Sequence, residues 1–204
     1  LGQNNNTNLS SPTQIPGTNW SEKYSNAQLT TYAIKTDGTL WVWGRNYEGQ
    51  LGLNESTGNA NARSSPVQLG SGTDWALVAK GGDPGGARNP LATKTDGTLW
   101  VWGRNDYGAL GQNNTTNYSS PVQVPGSWST TIRPVGSSGG AQASAIKTDG
   151  TLWAWGWNDK GQLAQNDKTA RSSPVQIPGT VWVDVMSAGT ISLAVKAALT
   201  PSQM

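Results

Sequence analysis

The chain contains no cysteine, no histidine and no phenylalanine among its 204 residues. Without Cys or His it can build no zinc finger, iron–sulfur centre, thiol nucleophile, Ser-His-Asp triad or imidazole base. No disulfide can staple it, so stability has to come from packing, for which a chain of this length is sufficient. Charge is scarce as well: Asp, Glu, Lys and Arg make up 13% of residues, about half the usual share of roughly 25%. The formal charge of +2 is spread over scattered residues, with no Lys/Arg run to track a phosphate backbone, which argues against a nucleic-acid partner. No apolar run approaches the roughly 18 residues of a membrane-spanning helix, so membrane insertion is not expected.

In place of those residues the chain has 11 Trp, 26 Gly and an internal repeat. Ser-Ser-Pro recurs with prolines at Pro12, Pro66, Pro121 and Pro174, at spacings of 54, 55 and 53. Lys-Thr-Asp-Gly-Thr-Leu-Trp recurs unchanged at Lys35 to Trp41, Lys94 to Trp100 and Lys147 to Trp153. In each unit an apolar stretch such as Tyr32-Ala33-Ile34 meets Asp37-Gly38, a tight-hairpin signal, and Thr39 to Trp43 then alternates. Trp41 and Trp43 share one face of that second strand and Leu40 and Val42 the other, so both faces are apolar. Such a sheet must lie between neighbours, and sheets repeating about every 50 residues stack as propeller blades. Solenoid coils are the competing stack, but their repeats are shorter or helical, and no helical periodicity is present. Pro66-Val67-Gln68 and its equivalents are expected at sheet edges, where proline's missing donor is not needed.

The expected fold is all-β: one domain over residues 1–204, a β-propeller of about four repeat units, with three complete blades plus a split or incomplete one. The units run 1–34 (partial), 35–93, 94–146 and 147–195, with a tail at 196–204. Leu1-Gly2-Gln3-Asn4 aligns with Leu110-Gly111-Gln112-Asn113, and after Lys196 the Asp-Gly-Thr-Leu-Trp continuation is replaced by Ala197-Ala198-Leu199-Thr200-Pro201. This pattern fits a piece of a larger ring, a four-bladed ring closed by the terminal pieces, or an incomplete ring completed by another copy. A larger chain or assembly is the favoured reading. The pairs Trp41/Trp43, Trp100/Trp102 and Trp153/Trp155 are expected to pack between blades, each buried Trp contributing at most about 4–6 kcal/mol.

Asp37, Asp96 and Asp149 recur at one spacing but read as hairpin-turn residues, and a calcium loop would need several carboxylates at alternating positions. No metal and no cofactor are expected. The insertion Gly81 to Arg88 lacks the Gly-Lys-Ser/Thr ending of a phosphate loop and reads as a connection. The framework repeats, but the turn after each Trp-Gly does not. It is Arg45-Asn46-Tyr47-Glu48, then Arg104-Asn105-Asp106-Tyr107, then Trp157-Asn158-Asp159-Lys160. Exposed Arg, Tyr and Trp are favoured interface anchors, so the candidate protein-contact rim is Arg45, Tyr47, Glu48, Arg104, Asp106, Tyr107, Trp157, Asp159 and Lys160. Neutral drift of exposed turns is the competing explanation. Trp157, whose siblings are Arg, stands out as the aromatic to test.

Trp41-Val42-Trp43-Gly44-Arg45-Asn46-Tyr47-Glu48-Gly49-Gln50-Leu51-Gly52 resembles the signature of the regulator-of-chromosome-condensation repeat, and Trp100 to Gly111 and Trp153 to Ala164 match it again. The resemblance implies a β-propeller, usually of seven blades. It is less specific for function, since the family holds a nucleosome-binding nucleotide-exchange factor, ubiquitin-ligase and receptor modules, and a secreted β-lactamase inhibitor. Its repeats commonly carry a His before the hairpin, and here none does. The expectation is a non-catalytic protein-binding or structural scaffold, extracellular or on a virion, of phage or bacterial type. Its partners would be proteins, either copies of itself or other particle subunits. An intracellular regulatory propeller, of exchange-factor or chromatin-binding type, and a secreted enzyme inhibitor are the alternatives.

Overall fold

The computed structural model of the protein describes residues 2–27, 29–55, 61–79, 89–136, 142–188 and 191–197. The Gly81 to Arg88 insertion lies outside them, so its reading as a connection rests on sequence.

The described residues are all strand, turn and loop. The strands are β1 (Trp20–Ala27), β2 (Thr30–Lys35), β3 (Leu40–Gly44), β4 (Arg63–Gln68), β5 (Trp75–Ala79), β6 (Leu91–Lys94) and β7 (Leu99–Gly103). They continue as β8 (Tyr118–Val124), β9 (Val135–Gly136), β10 (Gln142–Ile146), β11 (Leu152–Gly156), β12 (Arg171–Ile177), β13 (Trp182–Ala188) and β14 (Ile191–Lys196). They form three four-stranded antiparallel meanders in sequence order, β1–β4, β5–β8 and β9–β12, and a two-stranded sheet β13–β14. The Ser-Ser-Pro strands β4, β8 and β12 are the outer edges, where the prolines' missing donors cost no ladder bond. Each sheet starts ahead of the hairpin, with β1, β5 and β13 opening on Trp20, Trp75 and Trp182 and Trp128 bridging Lys147 ahead of β9, so a sequence unit counted from Lys35 takes two strands from one sheet and two from the next. Among the described residues the sheets do not close into a ring.

The hairpin between second and third strand uses Asp-Gly differently from a two-residue turn. Ile34 pairs with Leu40, the Gly38 N–H bonds the Lys35 carbonyl at 3.0 Å and the Lys35 N–H bonds the Thr39 carbonyl at 2.9 Å. This is a type I turn over Thr36-Asp37 followed by a left-handed residue, Gly38 at φ 79°. Asp37 Oδ1 accepts from the Thr39 N–H and hydroxyl, and the Trp41 indole donates to Thr39 Oγ1. The same Asp–Thr–Trp relay is built by Asp96, Thr98 and Trp100 and by Asp149, Thr151 and Trp153. These bonds hold all three carboxyls below the usual carboxylate range, the threonine hydroxyl being the main cause.

Adjacent sheets stack through the two apolar faces read from β3. Ile34, Leu40 and Val42 of the first blade pack with Trp75, Val78, Ala92 and Trp102 of the second. Leu91, Leu99 and Val101 of the second pack with Trp128, Ala143, Ala145 and Trp155 of the third. Ile146 and Leu152 of the third meet Val185, with Trp182 beside them. The leucine and valine face of one blade therefore meets the tryptophan face of the next. Within each Trp pair the roles divide. Trp43, Trp102 and Trp155 are buried, whereas Trp41, Trp100 and Trp153 are half-buried beneath the repeat lysines. Two backbone bonds lock a seam. Trp75 and Trp128 donate to the Gly38 and Gly97 carbonyls, and Asn54 and Asn113 donate to Ser119 and Ser172.

One substitution in the repeat follows from this packing. A Cβ on Gly52 would sit 2.9 Å from the Trp102 indole nitrogen, and one on Gly111 would sit 3.0 Å from that of Trp155. The equivalent residue in the third blade is Ala164, which keeps the left-handed backbone at φ 54°. Among the described residues no indole donates to the Gln162 carbonyl as Trp102 does to Gln50 and Trp155 to Ala109, so none there demands a glycine. Ala194 shows the same loss, being exposed where Ala92 and Ala145 are buried.

Candidate functional site: the rim of third-to-fourth-strand turns

The nine rim residues of the sequence reading fall in the loops that follow β3, β7 and β11, so one edge of the sheets presents them all. A buried asparagine fixes each loop. Asn105 Nδ2 donates to the Asn114 and Thr116 carbonyls while its Oδ1 accepts from the Leu110 N–H. Asn158 does the same with Asp167, Thr169 and Leu163. Asn46 Oδ1 accepts from the Leu51 N–H in the first blade. These asparagines, 0–1% exposed, escaped the sequence reading because Asn is common in loops. Their signal was invariance inside a turn whose other positions change.

On this frame the variable side chains pair along the rim. Arg45 lies 4.1 Å over the Tyr47 ring. Arg104 forms an ion pair with Asp106 in its own turn, and Asp106 with Glu48 of the preceding turn strengthens its hold on the proton. Tyr107 stacks on Trp157 of the next turn, centroids 5.3 Å apart and planes inclined by 25°. Lys160 and Asp159 pair at 2.9 Å. The last residue of one turn thus faces the first of the next, Glu48 towards Arg104 and Tyr107 against Trp157, with matched chemistry in both cases.

That matching explains part of the rim's divergence without a partner. Trp157 is half-buried against Tyr107 rather than standing free. Tyr47, Tyr107 and Lys160 remain exposed. No group of three or more Asp or Glu side chains among the described residues is placed to hold a metal.

Three segments, residues 37–83, 96–146 and 149–195, match the model of the regulator of chromosome condensation (RCC1) repeat. The chain belongs to the RCC1 repeat family. It is 30% identical over 149 residues to the ultraviolet-B receptor UVR8 of Arabidopsis thaliana, an alignment covering 72% of this chain and 32% of the receptor. It is 27% identical over 146 residues to the human E3 ubiquitin-protein ligase HERC2, covering 72% of this chain and 3% of the ligase. The chain therefore spans at most about a third of these RCC1 relatives. Among solved structures it resembles Saccharomyces cerevisiae Prp20p, with TM-score 0.74 and 18% identity over 88% of this chain and 44% of the yeast one. With Prp20 in its complex with Kap60 the TM-score is 0.77 at 18% identity, over all of this chain and 50% of that one. RCC1-type propellers bind other proteins. The Prp20p structure is described together with its binding to Gsp1p and histones.

Proposed function

We propose that this chain is a non-catalytic protein-binding module of an RCC1-type propeller, and that it meets its partner through the rim of Tyr47, Tyr107 and Lys160. One observation carries the reading. Away from the two ends of the open ring, Tyr47 and Tyr107 are the large hydrophobics left exposed among the described residues, at 38% and 45%. Both lie on the same rim, beside Arg45 and Arg104. Tyr and Arg presented on a rigid frame are the side chains that anchor interfaces.

Two settings have equal support. An extracellular or virion scaffold fits the low charge and the absence of Cys and His. An intracellular regulatory propeller fits the receptor and ligase relatives. Immobilised chain offered matched secreted and cytosolic protein mixtures separates them by which mixture yields a partner. Binding should fall at least tenfold in Tyr47→Ala/Tyr107→Ala. Full binding by that variant, with unfolding unchanged, would place the contact surface elsewhere.

A further inference from the structure

The seam between the first and second blades and the seam between the second and third lie between complete four-stranded sheets, and they repeat each other's bonds. The Trp75 N–H bonds the Gly38 carbonyl as that of Trp128 bonds Gly97, and the Trp102 indole bonds the Gln50 carbonyl as the Trp155 indole bonds that of Ala109. By these bonds alone the first blade would receive the third blade as readily as the second. Repeat chains with such alike faces misassemble by packing the wrong units together, within one chain or between two.

The seams differ where each turn seats on the following blade. Asn54 donates to the Ser119 carbonyl at 2.8 Å, and Asn113 to that of Ser172 at 2.7 Å. Gly49 and Gly108 lie against the same two serines. A Cβ on Gly49 would sit 2.8 Å from Ser119 Cα, and one on Gly108 would sit closer still to Ser172 Cα. Tyr118, beside Ser119, is the register partner of Gly103, and Arg171, beside Ser172, is that of Gly156. The residue before each seated glycine, Glu48 or Tyr107, is thereby brought to the residue after each strand glycine, Arg104 or Trp157.

In the later seam the result is the ring stack of Tyr107 on Trp157, centroids 5.3 Å apart. In the earlier seam the equivalent positions carry opposite charges. The Arg104 hydrogen bond to Asp106 is the main cause that raises the Arg104 pKa, and the charge of Glu48 adds to it. If the third blade followed the first directly, Glu48 would meet Trp157 in place of Arg104, a carboxylate against the negative face of an indole. Each pair therefore accepts its own neighbour and opposes the other.

We propose that Glu48 with Arg104 and Tyr107 with Trp157 form a blade-order code, deciding which blade packs on which in a stack whose repeated bonds do not discriminate. Tyr107 is still 45% exposed while stacked, so the code leaves it available to a partner. Partner binding is not needed to observe the code, and the two proposals can fail separately.

Four chains of identical composition test it. The full exchange, Glu48→Tyr, Arg104→Trp, Tyr107→Glu and Trp157→Arg, moves each matched pair to the other seam, and it places a guanidinium two residues before Asp159 as Arg104 stands before Asp106. Each half-exchange, Arg104→Trp with Trp157→Arg or Glu48→Tyr with Tyr107→Glu, leaves a carboxylate facing an indole. The 204-residue wild type and the three variants are refolded from urea at micromolar concentration, then compared by light scattering and by urea midpoint. Wild type and full exchange should give the same species. The half-exchanges should give more of the larger, misassembled species and lose roughly two- to tenfold in folding equilibrium constant. Half-exchanges that match wild type in both readouts overturn the proposal, as does a full exchange no better than the halves. Lower midpoints with an unchanged distribution of species reduce the pairs to stabilising contacts and overturn the code.

Discussion

Trp155 donates its indole N–H to the carbonyl of Ala109 at 2.8 Å, across the seam between the third and second blades. Trp102 makes the same bond to Gln50, one seam earlier, at 2.9 Å. The glycine two residues beyond each acceptor lies against the indole it serves. A strand residue of one blade and a loop residue of its neighbour therefore select each other.

Gly111→Ala should destabilise the fold by about 1–3 kcal/mol, combining a left-handed alanine with a methyl 3.0 Å from the Trp155 nitrogen. Ala164→Gly, at the same backbone conformation without a recognised indole, should be neutral or stabilising by up to about 1 kcal/mol. Paired urea melts of the two variants check the opposite signs. Equal effects would remove the seam explanation for Ala164.

Asn105→Ala should cost about 2–4 kcal/mol, since it leaves the buried Leu110 N–H and two loop carbonyls without their partner. Asn105→Asp keeps the acceptor but buries a carboxylate oxygen against two carbonyl oxygens 3.0 Å away, so it should cost at least as much as alanine. Urea midpoints with unchanged slope would show that stability alone has moved.

The Trp ahead of each sheet's hairpin, the hairpin Lys and the first Trp of the pair make a clip. Lys147 Nζ lies 3.8 Å from the Trp153 centroid and 5.4 Å from that of Trp128. Lys35 repeats it at 3.8 Å from Trp41 and 5.0 Å from Trp20. Lys147→Met should lose about 0.5–1 kcal/mol while retaining most of the apolar stem, and Lys147→Arg should lose less. Thermal unfolding compared across the two variants measures this; a methionine variant as stable as wild type would reduce the clip to packing.

The turn carboxylates Asp37, Asp96 and Asp149 are held below their ordinary range in the fold, chiefly by the threonine hydroxyls. A depressed folded pKa stabilises the native state above the unfolded value of about 3.9, and that stability is lost as pH falls through the folded pKa. The unfolding midpoint should therefore be flat near neutrality and drop below about pH 4. Converting all three to Asn, which still accepts a hydrogen bond but does not titrate, should flatten the drop. An unaltered acid limb in the triple variant would assign it to other carboxyls.

Strand faces, blade period and edge prolines were legible in sequence because each is a local consequence of side-chain alternation or backbone chemistry. Trp41 and Trp43 had to share a face, and Pro66 had to lie where no donor was needed. The division of labour within each Trp pair was not legible, because burial of Trp43 and half-exposure of Trp41 depend on which ring reaches the neighbouring sheet and which lies under Lys35. The recurrence of Trp20, Trp75, Trp128 and Trp182 was available but passed unread, since each stands alone outside the repeated heptapeptide.

The rim divides in the same way. Its nine residues could be named from sequence as the turn positions that vary on a constant frame. That Glu48 faces Arg104 and Tyr107 stacks on Trp157 depends on residues about one repeat apart being brought side by side by blade stacking. Pairwise chemistry between blades has no local signature in the chain. Alternation and turn preference act over a few residues and can be read one unit at a time, whereas a seam exists only once two sheets are packed.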